Sequence, residues 1–278
     1  MVEQRRVPFS KYHGLGNDFI VVLADDLPED IARDRAVAMC DRHRGIGADG
    51  LLWLRGEDET AFRIRIFNAD GSVPETCGNG IRCAVRFWLS RFGVGEGTLT
   101  VQSDAGVGVA TLFSDSTVEV DMGPALFSGP NLPPLEHLMV GFPTPPLPPE
   151  ILGIPVSMGN PHLVIFHDDW RGLNRVDAAR LEHHPGFPQR ANVNFARVSG
   201  PGEIELSVWE RGVGFTQACG SGACATAAAA LKFGFVSEQQ VKVTLPGGAL
   251  TISVAPDFSR LLMRGPAEPV FSGEIDLS

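Results

Sequence analysis

The sequence predicts an α+β protein of two related halves, because two sequence patterns each occur twice, with nearly the same number of residues between the two copies. Cys77 and Cys219 are 142 positions apart, and each stands between a strand-like segment and a helix-like segment. Gly16-Asn17 and Gly159-Asn160 are 143 positions apart, and each precedes a short apolar strand. We therefore interpret the chain as a duplication in which each half contributes one cysteine.

The stretch around Cys77 predicts a strand, a glycine-rich turn and a helix. Phe62 to Phe67 alternates apolar and charged residues, as a half-buried strand does. After Cys77, apolar residues follow at helical spacing up to Phe92, and Gly93 stands where a C-terminal glycine cap is expected. Gly78-Asn79-Gly80 leaves the backbone N–H groups of the helix start open to a ligand. Such groups stabilise an anion, either a thiolate or a substrate carboxylate.

The stretch around Cys219 repeats this arrangement. Ile204 to Glu210 reads as a strand, and Cys219-Gly220-Ser221-Gly222 leads into a helix over Ala223 to Phe233. That helix is small and apolar on all sides, which predicts a buried element with the helix after Cys77 as its partner. If a pseudo-twofold axis relates the halves, the two cysteines face each other across the cleft between them.

The rest of the chain predicts further strands with two more helical segments. One helix is expected over Pro28 to His43 and another within Asp168 to Glu182. Pro124 to Pro155 holds ten of the 21 prolines, so it is the predicted linker. The predicted domains are 1–124, which carries Cys77, and 125–264, which carries Cys219, with the tail 265–278 returning to the first. The other predicted strands are Val7–Tyr12, Phe19–Leu23, Leu51–Leu54, Thr98–Ser103, Val107–Phe113, Thr117–Asp121, one from Val156, Ala191–Val198, Val241–Leu245, Leu250–Val254 and Leu261–Arg264.

Composition favours a small substrate. The 278 residues carry a net charge of −10 with three lysines, which argues against nucleic acid or an anionic membrane as a partner. Met1 to Ser10 has no apolar run typical of a signal peptide, and no apolar stretch is long enough to span a membrane. We predict a soluble cytoplasmic protein whose five cysteines are free thiols.

Simpler explanations compete for the singled-out residues. Cys40, Cys83 and Cys224 are best read as small buried side chains. A zinc site is disfavoured because five and four residues separate the paired cysteines within each helix start, and no metal is predicted. A redox dithiol lacks a Cys-x-x-Cys motif. The asparagines and His162 would each be ordinary if they stood alone.

Six motifs together resemble the diaminopimelate epimerase family, in the right order over nearly the whole chain. The resemblance implies two pseudo-symmetric domains, each of strands wrapped around a central helix, and a reaction without a cofactor. It also implies the interconversion of LL- and meso-diaminopimelate, on the route to lysine and peptidoglycan precursors. The motifs are Gly14–Phe19, Asn68–Ser72, Cys77–Cys83, Met158–His162, Trp209–Gly214 and Ala218–Gly222.

The chemistry agrees with this resemblance. Inversion of a carbon centre removes a proton from one face and adds one to the other, which suits two acid/base groups on opposite sides. The carbanion needs N–H donors aimed at its carboxylate, and Gly78, Asn79, Gly220 and Ser221 are placed to supply them. By the resemblance, Cys77 and Cys219 are the acid/base pair. His162 and Glu210 would orient or polarise them, and the substrate would be held by Asn17, Asn68, Asn160, Asn192, Glu210 and Arg211.

The chain departs from the family pattern at one position, and two alternative functions stay open. Some family members carry a substrate-contacting glutamine where this chain has Gly50. A racemase of proline, hydroxyproline or histidine on the same fold is the nearer alternative, and a non-catalytic amino-acid-binding protein is the more distant one. The expected partners are a small-molecule substrate and a second copy of the chain in a homodimer. We also predict that Cys77 and Cys219 can oxidise to a disulfide in air, after which activity would need a reductant.

Overall fold

Two compact units, each with its own set of strands and helices, make up the chain. The computed structural model describes residues 6–74, 77–134, 139–141, 150–168 and 175–277. One unit combines Met1–Val120 with Gly265–Ser278, and the other is Asp121–Arg264. The described residues form seventeen strands and four helices, so the predicted α+β class is confirmed.

The first unit is a run of strands interrupted by two helices. Its antiparallel pairs are β1 with β2, β3 with β4, β5 with β6 and β6 with β7, and its parallel pairs are β2 with β3 and β4 with β5. The C-terminal strand β17 pairs antiparallel with β1. These elements are β1 (Arg6–Gly14), β2 (Asn17–Leu23), α1 (Glu29–Cys40), β3 (Gly50–Asp58), β4 (Ala61–Asn68), α2 (Gly78–Arg91), β5 (Gly97–Ser103), β6 (Gly106–Leu112), β7 (Thr117–Asp121) and β17 (Glu268–Asp276).

The second unit has the same order of pairings. Its antiparallel pairs are β9 with β10, β11 with β12, β14 with β15 and β15 with β16, and its parallel pairs are β10 with β11 and β12 with β14. This repetition is what a duplication predicts. The elements are β8 (Met139–Gly141), β9 (Glu150–Ser157), β10 (Pro161–Phe166), α3 (Arg175–Glu182), β11 (Asn192–Gly200), β12 (Glu203–Glu210), β13 (Gly214–Phe215), α4 (Gly220–Lys232), β14 (Gln240–Leu245), β15 (Gly248–Val254) and β16 (Leu261–Pro266).

The helix that follows each cysteine packs against strands of its own unit. The buried face of α2 includes Val85, Trp88 and Leu89, and it packs on β1, β2, β3, β4, β6 and β17. Every residue of α4 from Gly220 to Ala230 is buried, as its uniformly small and apolar sequence predicted. The strands β9, β10, β11, β12, β14 and β15 of its own unit surround α4.

Helix α1 is shorter than predicted. It ends at Cys40 because Asp41 takes an extended conformation and its carboxylate accepts hydrogen bonds from the backbone N–H groups of His43 and Arg44. An aspartate that caps the following turn in this way competes with continuation of the helix. The prediction that the helix reaches His43 was therefore wrong.

The proline-rich stretch is not simply a linker, because β9 begins within it and includes Pro155. Opposite Pro155 in β10 is Leu163. Ser157 exchanges both backbone hydrogen bonds with Leu126, on the side of β9 away from β10. Because Pro155 lies two residues before Ser157, its ring nitrogen faces the same side of β9. No hydrogen bond between β9 and β10 is therefore lost. The rest of the predicted linker at 135–138 and 142–149, and part of the predicted Asp168–Glu182 helix at 169–174, lie outside the described residues.

No helix in the described part of the chain is both long and apolar enough to cross a membrane.

Candidate active site

Cys77 forms the N-cap of helix α2 in the first unit. Its Sγ atom accepts a hydrogen bond from the backbone N–H of Gly80 at 3.3 Å. No acidic residue lies in the described first turn of α2, where the positive end of the helix dipole favours an anion. A Cβ atom at Gly80 would lie 3.1 Å from the Cys77 sulfur and 3.2 Å from the Leu52 side chain. The glycine therefore lets the sulfur approach the N–H groups of the helix start.

Asn17 links the Cys77 helix to the loop before β3. The β1–β2 hairpin turns through Leu15 and Gly16, both with positive φ, and delivers Asn17 at the start of β2. The Asn17 amide donates to the carboxylate of Asp49 at 2.8 Å and accepts from the side chain of Asn79 at 3.1 Å. Two predicted substrate ligands, Asn17 and Asn79, are thus hydrogen-bonded to each other.

Asp18 and Asp49 anchor this group through two cations. Arg42 donates to Asp18 at 2.7 Å and to Asp49 at 2.7 Å, and Lys11 lies 2.8 Å from Asp18. The Lys11 ammonium is buried and also donates to the carbonyl of Gly47. Burial of Asp18 opposes its charge, but hydrogen bonds from Arg42 and Lys11 outweigh burial and lower its pKa to about 2. The Asp18 carboxylate is therefore ionised, and it holds Arg42, which in turn donates to the Asp49 carboxylate that binds Asn17.

Among the described residues, no hydrogen bond joins Asn68 to this group. Its side-chain amide donates to the Ser72 hydroxyl at 2.9 Å, and its backbone N–H donates to the Ser72 carbonyl. The hydroxyl of Ser72 in turn donates to Asp70 at 2.6 Å. The Asn68 amide thus closes the turn that follows β4.

Cys219 forms the N-cap of α4 in the second unit and is more buried than Cys77. It is buried, and its Sγ atom lies 3.7 Å from the Ser221 hydroxyl oxygen. Burial raises the pKa of the Cys219 thiol well above its usual value, and the nearby Glu210 carboxylate raises it further. Glu210 accepts a hydrogen bond from the hydroxyl of Thr216. Cys219 is therefore a thiol in this environment, and Gly222 provides the space beside it, since a Cβ atom there would lie 3.2 Å from its sulfur.

His162 is fully buried between two asparagines. Its Nδ1 atom lies 3.2 Å from Oδ1 of Asn194, and its Nε2 atom lies 3.1 Å from Oδ1 of Asn160. The Asn160 amide also lies 3.4 Å from the Ser221 hydroxyl, which connects His162 to the neighbour of Cys219. Burial lowers the pKa of His162 to about 4, so the ring is neutral near pH 7.

Asn192 holds the backbone around Arg211. Its Oδ1 atom accepts from the Arg211 backbone N–H at 2.9 Å, and its amide donates to the Pro161 carbonyl at 3.2 Å. The Arg211 guanidinium donates to the carbonyl of Gln189 at 3.0 Å. Glu182, a buried carboxylate on α3, fixes the same loop by accepting from the Gly212 backbone N–H and from other donors of the unit.

Sequence reasoning missed the residues that orient this machinery. Asp49, Glu182, Asn194 and Thr216 were not singled out as site residues. A weak signal existed for Asp18, which lies within the singled-out motif Gly14–Phe19. The role of Asp18 depends on Arg42, 24 positions away, and that of Asp49 on Asn17, 32 positions away.

The remaining cysteines are buried, as predicted. Burial raises the pKa values of the Cys40 and Cys83 thiols to about 12, and Cys224 is likewise buried within α4. Within the described ranges, no group of three or more His, Cys, Asp or Glu side chains could hold a metal ion.

Solved structures of other proteins share this fold. A hydroxyproline epimerase from Agrobacterium vitis, solved with bound trans-4-hydroxy-L-proline, is similar with a TM-score of 0.69 at 16% identity, over 100% of this chain and 94% of that one. A predicted epimerase from Pseudomonas aeruginosa is similar with a TM-score of 0.68 at 18% identity, over 98% and 99% of the two chains. The chain thus has the same fold as these two proteins.

The sequence comparison is more specific. The family model described as diaminopimelate epimerase matches residues 9–128 and 154–270. The diaminopimelate epimerase of Synechocystis sp. is 46% identical over 278 aligned residues, which cover 97% of this chain and 99% of that protein. The chain belongs to the diaminopimelate epimerase family.

Proposed function

We propose that the protein interconverts LL- and meso-diaminopimelate by a two-base reaction, in which one cysteine removes the α-proton and the other delivers a proton to the opposite face of the α-carbon. The observation that carries the proposal is that each unit places one cysteine, Cys77 or Cys219, at the N-cap of a helix that begins with glycine. Membership of the diaminopimelate epimerase family supports the choice of substrate.

The environments of the two sulfurs support different resting states. The Gly80 N–H donates to Cys77, and such a donor stabilises negative charge on sulfur at a helix N-terminus. Cys219 is buried beside Glu210, which favours its protonated form. In the resting enzyme Cys77 is then the base and Cys219 the acid, and the pair exchanges these states in each turnover. The reverse reaction starts from the exchanged pair.

The helix starts supply the electron sink for the carbanion. Removal of the α-proton moves charge onto the substrate carboxylate, and fixed N–H donors stabilise that charge without reorganising. The first residues of the two helices provide such groups, namely Gly78 and Asn79 in one unit and Gly220 and Ser221 in the other.

The polar residues around these helix starts suit a substrate that is an amino acid at both ends. The guanidinium of Arg211 can bind a carboxylate through two parallel hydrogen bonds. Amide side chains can serve both a distal ammonium and a carboxylate, and the structure orients several of them by hydrogen bonds. We assign the substrate contacts to Asn17, Asn68, Asn160, Asn192, Glu210 and Arg211.

The test is exchange of the α-proton in deuterated water. Reduced protein is incubated with LL-diaminopimelate, the α-proton signal is followed by NMR, and the isomers are separated by chiral chromatography. We expect loss of the signal with formation of the meso isomer, and loss of both in Cys77→Ala and in Cys219→Ala. Cys40→Ala removes a buried thiol of the first unit and serves as the matched control. No exchange by the reduced wild type would refute the assignment, and exchange of proline or histidine instead would identify the other class of racemase.

We further propose that the protein acts in the cytoplasm as a homodimer, without nucleic acid or membrane as a partner. The net charge of −10 supports the absence of polyanionic partners. The exposed apolar side chains Val270 and Phe271 on β17 support a protein surface as their partner. Light scattering coupled to gel filtration tests the dimer, and Phe271→Ser is expected to shift it toward the monomer.

A further inference from the structure

His162 meets two amide oxygens, one at each ring nitrogen. The Nδ1 atom faces Oδ1 of Asn194 and the Nε2 atom faces Oδ1 of Asn160. A neutral imidazole has one N–H donor and one acceptor, so it can donate to only one of two such oxygens. Because His162 is neutral near pH 7, one of the two asparagines must present its NH₂ group instead.

Asn194 cannot be the one that turns. Its Nδ2 atom donates to the carbonyl of Gly222 at 2.9 Å and to the hydroxyl oxygen of Thr226 at 3.0 Å. The Thr226 hydroxyl already donates to the Gly222 carbonyl at 2.8 Å, so it can only accept from Asn194. Turning the amide would bring its oxygen against the Gly222 carbonyl oxygen in a fully buried site, where an unpaired polar atom is costly. The Asn194 oxygen therefore stays on His162, and Nδ1 must carry the proton.

Asn160 is free to take the complementary orientation. Its only other side-chain partner in the described structure is the Ser221 hydroxyl, which can donate as well as accept. With neutral His162, the Asn160 NH₂ group donates to Nε2 and its oxygen accepts from Ser221. The Ser221 hydroxyl then turns its proton away from the Cys219 sulfur, and the Cys219 S–H donates to the Glu210 carboxylate.

We propose that Asn194 is a positioning residue that fixes His162 as its Nδ1–H tautomer and so sets the direction of a hydrogen-bond chain that ends at Cys219. In this hydrogen-bond chain the Ser221 hydroxyl and the Asn160 NH₂ group both donate in the direction away from Cys219. The Cys219 thiol therefore keeps its proton. A proton on Nε2 would reverse each bond and turn the Ser221 hydroxyl toward a Cys219 thiolate. The assignment to catalysis rests on the proposed function, but the tautomer does not.

The tautomer can be measured directly in the wild-type protein. Long-range proton–nitrogen correlation spectra of the reduced protein, labelled with ¹⁵N in its seven histidines, distinguish the Nδ1–H tautomer, the Nε2–H tautomer and the imidazolium. His162→Gln identifies the signals by their disappearance. We expect the Nδ1–H pattern for His162 at neutral pH. An Nε2–H pattern or an imidazolium in the free wild type would overturn the proposal.

Asn194→Leu tests the positioning role, since leucine fills a similar volume but accepts no hydrogen bond. We expect His162 to lose the Nδ1–H pattern and kcat for α-proton exchange to fall by roughly 100-fold, with KM changed much less. Thr226→Val is the matched control, because it removes one buried hydrogen-bond partner of Asn194. The variant keeps the Gly222 carbonyl as the other partner and keeps the contact between Asn194 and His162. We expect it to keep the Nδ1–H pattern.

The outcomes are separable. If Asn194→Leu folds, as judged by circular dichroism, and keeps both the tautomer and kcat, the positioning role is refuted. If Asn194→Leu does not fold, the wild-type spectrum and the Thr226→Val spectrum still decide the tautomer. If the wild type shows the Nδ1–H pattern but exchanges no α-proton of diaminopimelate, the proposed function fails while the tautomer assignment stands.

Discussion

The backbone N–H of Gly80 points at the sulfur of Cys77, at a distance of 3.3 Å. The second unit repeats the sequence relationship, because Gly222 also stands three residues after its cysteine. A Cβ atom at either glycine would lie 3.1 or 3.2 Å from the cysteine sulfur, closer than side chains normally pack. Both helices thus begin with the same requirement for an open approach to the thiol.

Gly80→Ala is expected to lower kcat for α-proton exchange by about 10-fold or more while the protein stays folded, since small displacements of a reacting group cost that much. The added methyl group pushes the Cys77 sulfur away from the N–H groups of the helix start. Exchange kinetics and a thermal melt measure the two effects. Gly95→Ala, where no atom lies within 4 Å of the added Cβ, is the matched control. Equal rates in both variants would contradict this view of Gly80.

Glu210→Gln is expected to make Cys219 react at lower pH. The negative charge of Glu210 raises the pKa of the Cys219 thiol, so its removal lowers that pKa, although burial still keeps it above the usual value. The rate of alkylation by iodoacetamide, followed by mass spectrometry of the Cys219 peptide, should begin to rise at a lower pH than in the wild type. Glu203→Gln, an exposed carboxylate of the same unit, should leave the profile unchanged.

Asp18 is expected to contribute stability that depends on pH. Its pKa is depressed from 3.8 to about 2 in the folded protein, so its contribution is fully present above the unfolded value and is lost as the pH falls from about 4 to about 2. Asp18→Asn also leaves the buried Lys11 without its carboxylate, which should cost about 3 kcal/mol of unfolding free energy at pH 7.

Urea unfolding of the wild type and of Asp18→Asn at pH 7 measures this cost. The exposed pair of Lys242 and Glu203 is the control, since Glu203→Gln should change the unfolding free energy by less than about 1 kcal/mol. Equal losses in the two variants would show that the buried pair is no stronger than a surface pair.

Gly50→Gln is expected to destabilise the protein rather than restore the contact that some relatives make. A Cβ atom at this position would lie 2.9 Å from the backbone carbonyl oxygen of Phe67, in the paired strand. The strands must shift to admit it, at a cost of roughly 1 to 3 kcal/mol. Gly108→Ala, in a strand with open space around it, serves as the control in the same thermal melts. An unchanged melting temperature with faster exchange would contradict this prediction.

The strands, the two glycine-started helices and the two N-cap cysteines could be predicted because each depends on neighbours in the sequence. Alternation marked β4, helical spacing marked α2, and the glycines after Cys77 and Cys219 marked the helix starts. The end of α1 was misjudged because one side chain, Asp41, caps the following turn. A strand was predicted from Val156, but the first part of β9 was assigned to the linker because it contains Pro155, and only the partner strand shows that this proline faces away from the ladder.

The sequence by itself determined that two cysteines stand at helix starts and that asparagines accompany them, since backbone dipoles and glycine conformations are local properties. Only the tertiary structure decided what each group does. Burial and the carboxylate of Glu210 raise the pKa of Cys219, and the fixed amide of Asn194 selects which nitrogen of His162 holds the proton. These effects come from desolvation and from partners on other strands and helices, and folding alone brings those partners within hydrogen-bonding distance.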